Sequence, residues 1–202
     1  MIFGLGFISL AVAAVSAAPA ALSARQSTVG PQCAGLGPGV FDVAYNFTLT
    51  AWNATISTND TGVPLVLGQA GAVDGAEFKV FSTWASYPFN DFPLLTLLHG
   101  GLFGNGTYGN VAQASQVEAG DPPSFIIPPQ NPTPQIYCGV ADTDPAHGGY
   151  PQLAVDGDTD SFSLCPTSGS QVNIIYKSTP NNYGQYIYDE CYDVKLLMLG
   201  LD

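Results

Sequence analysis

The chain has 202 residues, of which 46% are hydrophobic and 10% charged, and its formal net charge at pH 7 is −12. The apolar content excludes a disordered chain, and the acidic surface would repel phosphate backbones and anionic lipid, so we expect neither nucleic acid nor a membrane as a partner. Glycine (23 residues) and proline (16 residues) interrupt the chain too often for long helices.

The N-terminus is built like a secretory signal peptide. An apolar segment covers residues 2–15, and Val15-Ser16-Ala17 predicts cleavage after residue 17. The apolar core is shorter than the about 20 residues that a membrane-spanning helix needs, so we expect no membrane anchor. We therefore predict a signal peptide over residues 1–17, a loose arm over 18–32 and a single β-rich domain over 33–202, in a secreted, extracellular or cell-wall protein.

Four Asn-x-Thr sequons support this prediction, because N-linked glycosylation takes place only on the secretory route. The predicted acceptors are Asn46, Asn53, Asn59 and Asn105. The first three lie close together, which raises the question of why one segment should offer so many acceptors.

The segment from Phe41 to Ala51 predicts a half-buried strand. Its odd positions are apolar and its even positions mostly polar, which is the two-residue period of a strand with one face in the core. Asn46 is an even position, so we expect its side chain to point away from the core. The alternation fails at Asn53 and Asn59, which we place at a strand end and in a loop.

The rest of the chain reads as further short strands separated by glycine and proline turns. The predicted strands lie within 63–71, 76–84, 91–109, 124–127, 135–138, 150–166, 171–179 and 190–199. Asp74-Gly75 and Asp156-Gly157 each predict the turn of a hairpin. Both follow Ala-Val, which hints at a repeated hairpin, although such turns recur in any antiparallel protein. The pattern predicts an all-β fold, either a β-sandwich or a trefoil-like barrel.

The chain contains four cysteines, an even number that predicts two disulfides in an oxidising compartment. They are Cys33, Cys138, Cys165 and Cys191, which allow three connectivities. No Cys-x-x-Cys motif is present and the chain has only two histidines, so we expect no zinc site and no other metal or cofactor.

Few residues suit catalysis. His99 and His147 lie in glycine-rich segments, no Gly-x-Ser-x-Gly motif is present, and Arg25 is the only arginine. A carboxylate-based acid hydrolase needs two carboxyl groups about 5 to 9.5 Å apart. The carboxylates that we consider for this role, or for a calcium site that lacks the EF-hand pattern, are Glu77, Glu118, Glu190, Asp156, Asp158 and Asp160.

Aromatic residues offer a third kind of site, a platform for sugars. Trp52 and Trp84 are the two tryptophans, and the densest aromatic group is Tyr183–Tyr192. If that segment is a strand, Tyr186 and Tyr188 share a face with Glu190. Core packing is the alternative use of these rings.

The last fifty residues follow a recognisable order of strands and cysteines. An apolar strand, Phe-x-Leu-Cys-Pro, an aromatic-ended strand, a variable loop and Cys-x-x-Val-x-Leu succeed one another, and the residues of this pattern are Phe162, Cys165, Pro166, Ile175, Tyr176, Cys191, Val194 and Leu196. This order resembles that of small secreted fungal cell-wall proteins of the phialide type. The resemblance implies an extracellular β-rich domain with a Cys165–Cys191 bridge, and the spacing of these cysteines across the last two strands favours the same pair. Cys33 then pairs with Cys138.

These observations favour a secreted, glycosylated extracellular or cell-wall protein with a structural or binding role and no catalysis. Its expected partners are cell-wall polysaccharide or other wall proteins. A secreted acid hydrolase, either a peptidase or a glycosidase, and a carbohydrate-binding module are the alternatives.

Overall fold

The computed structural model describes residues 29–142 and 149–201, and nearly all of its regular structure is β. Short 3-10 helices cover Pro31–Cys33 and Tyr188–Glu190. The strands of the described residues are β1 (Val40–Phe41), β2 (Val43–Trp52), β3 (Val63–Val73), β4 (Ala76–Thr83), β5 (Leu94–Leu98), β6 (Gly101–Asn105), β7 (Val111–Ala114), β8 (Ser124–Ile127), β9 (Tyr137–Val140), β10 (Gln152–Val155), β11 (Phe162–Pro166), β12 (Val172–Tyr176) and β13 (Tyr192–Leu199).

Nine strands close into an antiparallel barrel. The ring runs β2-β5-β6-β7-β8-β4-β12-β11-β13 and returns to β2. Strand β3 pairs with β4 along its length and meets β2 only at Val63 and Pro64. Strands β10, β9 and β1 extend the sheet outward from β13. The predicted all-β class is confirmed, and closure pairs strand edges that would otherwise be exposed.

The barrel interior is filled by large apolar side chains from most of the strands. The largest fully buried side chains are those of Tyr137, Phe47, Phe81, Phe125, Phe162, Leu49, Leu97, Leu102, Leu153, Leu164, Ile174 and Leu196. Phe81 on β4 and Phe125 on β8 meet edge to face, with ring centroids 5.0 Å apart. Such contacts contribute about 0.5–1.5 kcal/mol beyond the burial of area.

A β-bulge divides β2 and corrects the predicted inward face. Ala44 pairs with Leu97 and Phe47 with Leu95, so two residues of β2 oppose one residue of β5. Asn46 adopts the left-handed conformation, with φ of +53°. The extra residue moves Val43 and Tyr45 of β2 from the inner to the outer face of the strand. Odd positions therefore point inward from Phe47 onward, as predicted, but the prediction was wrong for Val43 and Tyr45, which are exposed.

The Asp156-Gly157 turn forms, but the predicted hairpin does not. Both residues have positive φ, 49° and 75°, and Val155 and Asp158 exchange two backbone hydrogen bonds of 3.0 Å. Strand β10 then pairs with β9 and β13, whereas β11 pairs with β12 and β13. At Asp74-Gly75 the flanking strands do pair along their length. The two similar segments thus have different roles, and the suggested repeat is not supported.

The two disulfides join the cysteines in the connectivity that the sequence favoured. Cys33–Cys138 ties the N-terminal 3-10 helix to β9 with a Cα–Cα distance of 5.7 Å, and Cys165–Cys191 ties β11 to the residue before β13 at 4.3 Å. The Gly30 N–H donates to the Asp42 carboxylate at 3.0 Å, so the end of the predicted loose arm contacts the barrel. The predicted signal peptide, the rest of the arm and His147 lie outside the described residues. Within 29–142 and 149–201 no helix is long and apolar enough to cross a membrane.

We predict that the two disulfides contribute unequally to stability. Cys33 and Cys138 are 105 residues apart and Cys165 and Cys191 are 26 apart. Loop-closure entropy then gives about 5 and about 3.5 kcal/mol respectively. Urea unfolding of the double variants Cys33→Ala/Cys138→Ala and Cys165→Ala/Cys191→Ala should show the larger loss for the first pair, with reduced wild type as the control. Equal losses, or the reverse order, would contradict the prediction.

We also predict that the hydroxyl of Tyr137 does not stabilise the fold. It is buried without a hydrogen-bond partner among the described residues, and burial, then the charge of Asp156, raises the pKa of the phenol. Tyr137→Phe should therefore leave the free energy of unfolding at pH 7 unchanged or raise it by about 1–2 kcal/mol. Tyr186 is the control: its hydroxyl accepts from Thr179 N–H at 2.8 Å and donates to the Thr179 carbonyl at 3.0 Å, so Tyr186→Phe should destabilise.

The same burial predicts a loss of stability in alkali. An unfolded tyrosine ionises near pH 10, whereas the folded pKa of Tyr137 is higher. This ionisation therefore leaves the free energy of unfolding unaffected below pH 10 and lowers it as pH rises above 10, because only the unfolded chain releases the proton. Urea titrations between pH 8 and 11 should show a shallower decline for Tyr137→Phe than for wild type, and parallel curves would count against the assignment.

Candidate functional site

Three segments meet where β13 begins. They are the loop of residues 53–62 between β2 and β3, here called the sequon loop, the turn of residues 156–161, and the first residues of β13 itself, 192–195. Two grooves separate them. One, of about 160 Å³, includes Trp52, Asp160 and Lys195 in its lining, and the other, of about 110 Å³, includes Ile56, Asn59 and Tyr192. Asn53 lines both.

The two asparagines of the sequon loop hold its backbone in place. The side-chain oxygen of Asn53 accepts N–H groups of Thr55 and Ile56 at 2.8 and 3.1 Å. That of Asn59 accepts N–H groups of Thr61 and Gly62 at 3.2 and 2.6 Å. These are the local turns that asparagine favours. The sequon loop therefore keeps this conformation because its two asparagine oxygens accept backbone N–H groups that have no partner in a strand.

Two lysines and three aspartates lie in or beside the first groove, and of these Lys195, Asp160 and Asp193 line it. Lys177 lies 3.5 Å from a carboxylate oxygen of Asp158, and Lys195 pairs with Asp160. The Asp158 carboxylate also accepts the N–H groups of Asp160 and Ser161, and Asp193 accepts the Ser163 hydroxyl at 3.1 Å. In the Asp-Gly-Asp-Thr-Asp motif, the carboxylates of Asp158 and Asp160 are thus engaged by lysines or by the backbone.

The titration of these groups follows from their surroundings. Burial lowers the pKa of Lys195, although the charges of Asp158 and Asp142 oppose that shift. The pKa of Lys177 is raised, first by hydrogen bonding to the Tyr176 hydroxyl, and its ammonium lies 4.9 Å from the centre of that ring. Burial raises the pKa of Tyr176. Across residues 29–142 and 149–201, no group of three or more His, Cys, Asp or Glu side chains could hold a metal ion.

The glutamates considered for acid catalysis lie on separate elements. Glu77 is on β4 and pairs with Lys79 at 3.5 Å. Glu118 lines a different groove, in the segment between β7 and β8, and Glu190 is exposed in the 3-10 helix before β13. His99 occupies the turn between β5 and β6 with φ of +48°. The structure brings none of these residues together.

The aromatic residues considered for a sugar platform divide between the core and the surface. Trp52 is buried, and its indole N–H donates to the Asn59 carbonyl at 3.2 Å, so it packs beneath the sequon loop. The segment of residues 183–191 is not a strand, so the condition for a shared face of Tyr186, Tyr188 and Glu190 is not met. Tyr186 is buried, which is the alternative use, whereas Tyr188 and Glu190 lie in an exposed 3-10 helix.

An exposed aromatic loop that the sequence did not single out follows β4. The aromatic loop (residues 84–89) carries Trp84, 44% exposed, Tyr87 and Phe89, 60% exposed. The Tyr87 and Phe89 rings meet edge to face at 5.2 Å. The signal for it was the sequence Trp-Ala-Ser-Tyr-Pro-Phe, an aromatic run with neither strand nor helix periodicity.

The four predicted sugar acceptors differ in their surroundings. Asn46, at the bulge of β2, and Asn59, in the sequon loop, are exposed. Asn53 and Asn105 are half-buried, and each donates a hydrogen bond from its side-chain nitrogen, Asn53 to the Asp193 carbonyl and Asn105 to the Thr96 hydroxyl.

Comparison with known proteins adds no relative to this description. The chain matches no protein-family model, and no significant match to a curated protein or to a solved structure was found. The resemblance of the last fifty residues to phialide-type wall proteins therefore stays a prediction.

We predict that Gly62 is essential for closing the sequon loop. Its φ is +75°, and a Cβ atom there would lie 2.2 Å from the Ala51 carbonyl oxygen, a contact with backbone that cannot move aside. Gly75 is the matched control, because its φ is +80° but a Cβ atom would meet nothing within 4 Å.

Gly75→Ala should lower the free energy of unfolding by about 1–2 kcal/mol, the cost of left-handed strain alone. Gly62→Ala adds the clash with the Ala51 carbonyl and should lower it clearly more, on the order of 3 kcal/mol or above. Thermal unfolding of both variants measures the difference. If Gly62→Ala were no worse than Gly75→Ala, the loop would not depend on this contact.

Proposed function

We propose that this chain is a secreted, glycosylated protein of the cell-wall type, which binds neutral wall polysaccharide through the aromatic loop and does not catalyse a reaction. The observation that carries the proposal is the exposure of Trp84 and Phe89 on a loop that is firmly held. Burying a large apolar side chain contributes about 1.5–3 kcal/mol. Leaving two such rings in water forgoes that stabilisation, and binding a ligand would recover it.

The aromatic loop is pre-organised. The Thr83 carbonyl accepts the N–H groups of Ser86 and Tyr87, both at 3.0 Å, and the Ser86 hydroxyl oxygen accepts the Val172 N–H at 3.0 Å. These bonds tie the loop to β4 behind it and to β12 beside it. A rigid aromatic surface loses little conformational entropy on binding, so more of the contact energy remains as affinity.

The charge of the protein favours a neutral ligand. The net charge of −12 opposes an anionic polymer, and the aromatic loop itself contains no charged residue. Tryptophan and tyrosine combine a large apolar face with a polar edge, which suits sugars, whose ring faces are apolar and whose rims carry hydroxyls. Wall polysaccharide therefore fits the loop better than an acidic partner.

Two further observations support the proposal, one for its extracellular part and one for its non-catalytic part. Both disulfides are formed, which is consistent with an oxidising compartment. In the first groove the Asp160 carboxylate pairs with Lys195 and the Asp193 carboxylate accepts the Ser163 hydroxyl, so both lining carboxylates are engaged within the protein, which favours a non-catalytic role over a glycosidase.

We predict that Trp84→Ala and Phe89→Ala each weaken binding to an insoluble neutral glucan by about tenfold or more, which corresponds to about 1.4 kcal/mol. Tyr183→Ala is the matched control, because Tyr183 is 92% exposed on another loop and should bind as wild type does. Depletion of the secreted protein from solution by increasing amounts of glucan measures the affinity.

Two results would count against the proposal. Equal binding by all four proteins would remove the aromatic loop from the site. Release of reducing sugar or peptide by wild type at about pH 3 to 5, lost in an Asp158→Asn or Glu190→Gln variant that still folds, would replace binding with acid hydrolysis.

A further inference from the structure

The sugar acceptors of this chain divide into two kinds by the role of the side-chain amide. We propose that Asn46 and Asn59 carry glycans in the folded protein, whereas Asn53 and Asn105 serve as structural amides and do not. The inference rests on the proposed passage through the secretory route.

Asn53 uses both ends of its amide in the fold. Its oxygen accepts two N–H groups of the sequon loop, and its nitrogen donates to the carbonyl oxygen of Asp193, 140 residues away. The second contact joins the sequon loop to β13 next to Asp193, whose carboxylate accepts the Ser163 hydroxyl. A sugar on the Asn53 nitrogen would replace one of its hydrogens by a bulky ring at this junction.

Asn105 is engaged in a similar way inside the sheet. It lies at the end of β6 between Leu94 of β5 and Val111 of β7, and it is half-buried. Its nitrogen donates to the Thr96 hydroxyl at 2.8 Å, and Thr96 is only 8% exposed. A sugar on this nitrogen would replace one of its two hydrogens by a bulky ring between β5 and β7, and displacing the amide would leave the buried Thr96 hydroxyl without its partner.

Asn59 presents the opposite arrangement. Only its oxygens are used: the side-chain oxygen accepts N–H groups within the loop, and the main-chain oxygen accepts the Trp52 indole. Its side-chain nitrogen makes no hydrogen bond to any described residue. The amide is thus held by its oxygen, and the groove lined by Ile56 and Tyr192 lies beside it with about 110 Å³ of open space.

Asn46 is free for a different reason. It is the left-handed residue of the β2 bulge, so it stands out of the sheet, and its side chain makes no hydrogen bond within the described part of the chain. A bulge leaves its extra residue unpaired, and a glycan at this position displaces no cross-strand neighbour.

Sugars are attached before folding is complete, so the division concerns the chains that fold and leave the cell. In a chain glycosylated at Asn53 or Asn105, a bulky sugar ring crowds an amide that joins the sequon loop to β13 or β6 to its neighbour β5. Such chains should be depleted from the secreted, folded population.

The test removes each sequon without touching its asparagine. Thr48→Ala, Thr55→Ala, Thr61→Ala and Thr107→Ala are made in the full chain, secreted from a host that adds N-glycans. An endoglycosidase trims each glycan to one sugar, and the intact mass then counts the occupied sites. Thr48→Ala and Thr61→Ala should each lose one sugar, and Thr55→Ala and Thr107→Ala should lose none.

A second readout separates a structural amide from an unused one. Asn53→Gln and Asn105→Gln should each lower the melting temperature by about 2–4 °C or more, whereas Thr55→Ala and Thr107→Ala should leave it near that of wild type. Because the threonine variants keep the amides, they stay informative even if a glutamine variant fails to fold.

The outcomes distinguish this inference from the proposed function. Loss of a sugar in Thr55→Ala or Thr107→Ala overturns the inference and leaves the proposed secreted glycoprotein intact. A wild type that is secreted without any sugar overturns the glycosylated part of the proposed function as well as the inference. One sugar lost in each of Thr48→Ala and Thr61→Ala alone, with the expected melting temperatures, supports both.

Discussion

The pairing of β2 with β13 closes the barrel, and the other features depend on it. Lys195 to Leu199 of β13 pair with Trp52 to Thr48 of β2, so strands from the two ends of the described chain lie side by side. The opposite edge of β2 must then serve β5 near its start and β3 near its end. The bulge at Asn46 lies within the pairing with β5, which continues at Phe47, and it bends β2 before the strand reaches β3.

Closure through such distant segments is costly in chain entropy, and the disulfides act on that cost. Non-local pairings form late, because the loop between the partners must be ordered first. Cys33–Cys138 fixes the outer strands to the start of the described chain, and Cys165–Cys191 fixes β11 to the residue that precedes β13. The second bridge therefore holds the start of β13 beside β11, one of its two neighbours in the barrel. Both bridges restrict the unfolded chain most where the fold needs long-range contacts.

The local parts of this structure could be predicted from the sequence, and the long-range parts could not. Alternation identified β2, and Asp74-Gly75 identified the β3–β4 hairpin, because both signals lie within a few residues. The bulge at Asn46 left no such signal: the alternation continues across it in the sequence, and only the offset between β5 and β2 reveals it. For the same reason the turn at Asp156-Gly157 was predictable, whereas the separate partners of β10 and β11 were not.

The functional surfaces follow the same division. The carboxylates near Asp158 were found as a motif, but the lysines that engage them come from β12's end and from β13, which the spacing of the motif does not indicate. Trp84 was considered together with Trp52, yet one is exposed and the other buried under the sequon loop. Whether an aromatic ring faces water is decided by the elements packed around it, and no periodicity precedes the aromatic loop to indicate them.

The sequon loop contains two Asn-x-Thr sequons for a physical reason that does not involve sugar. A loop that leaves β2 and returns as β3 has N–H groups without partners, and asparagine oxygens accept them at Thr55, Ile56, Thr61 and Gly62. When threonine follows such an asparagine by two residues, an asparagine that the turn favours also forms a sequon. The sequence motif alone cannot separate an amide that builds a turn from one that carries a glycan. The nitrogen of the same amide can, because in Asn53 it joins the loop to β13 and in Asn59 it donates no hydrogen bond to the described residues.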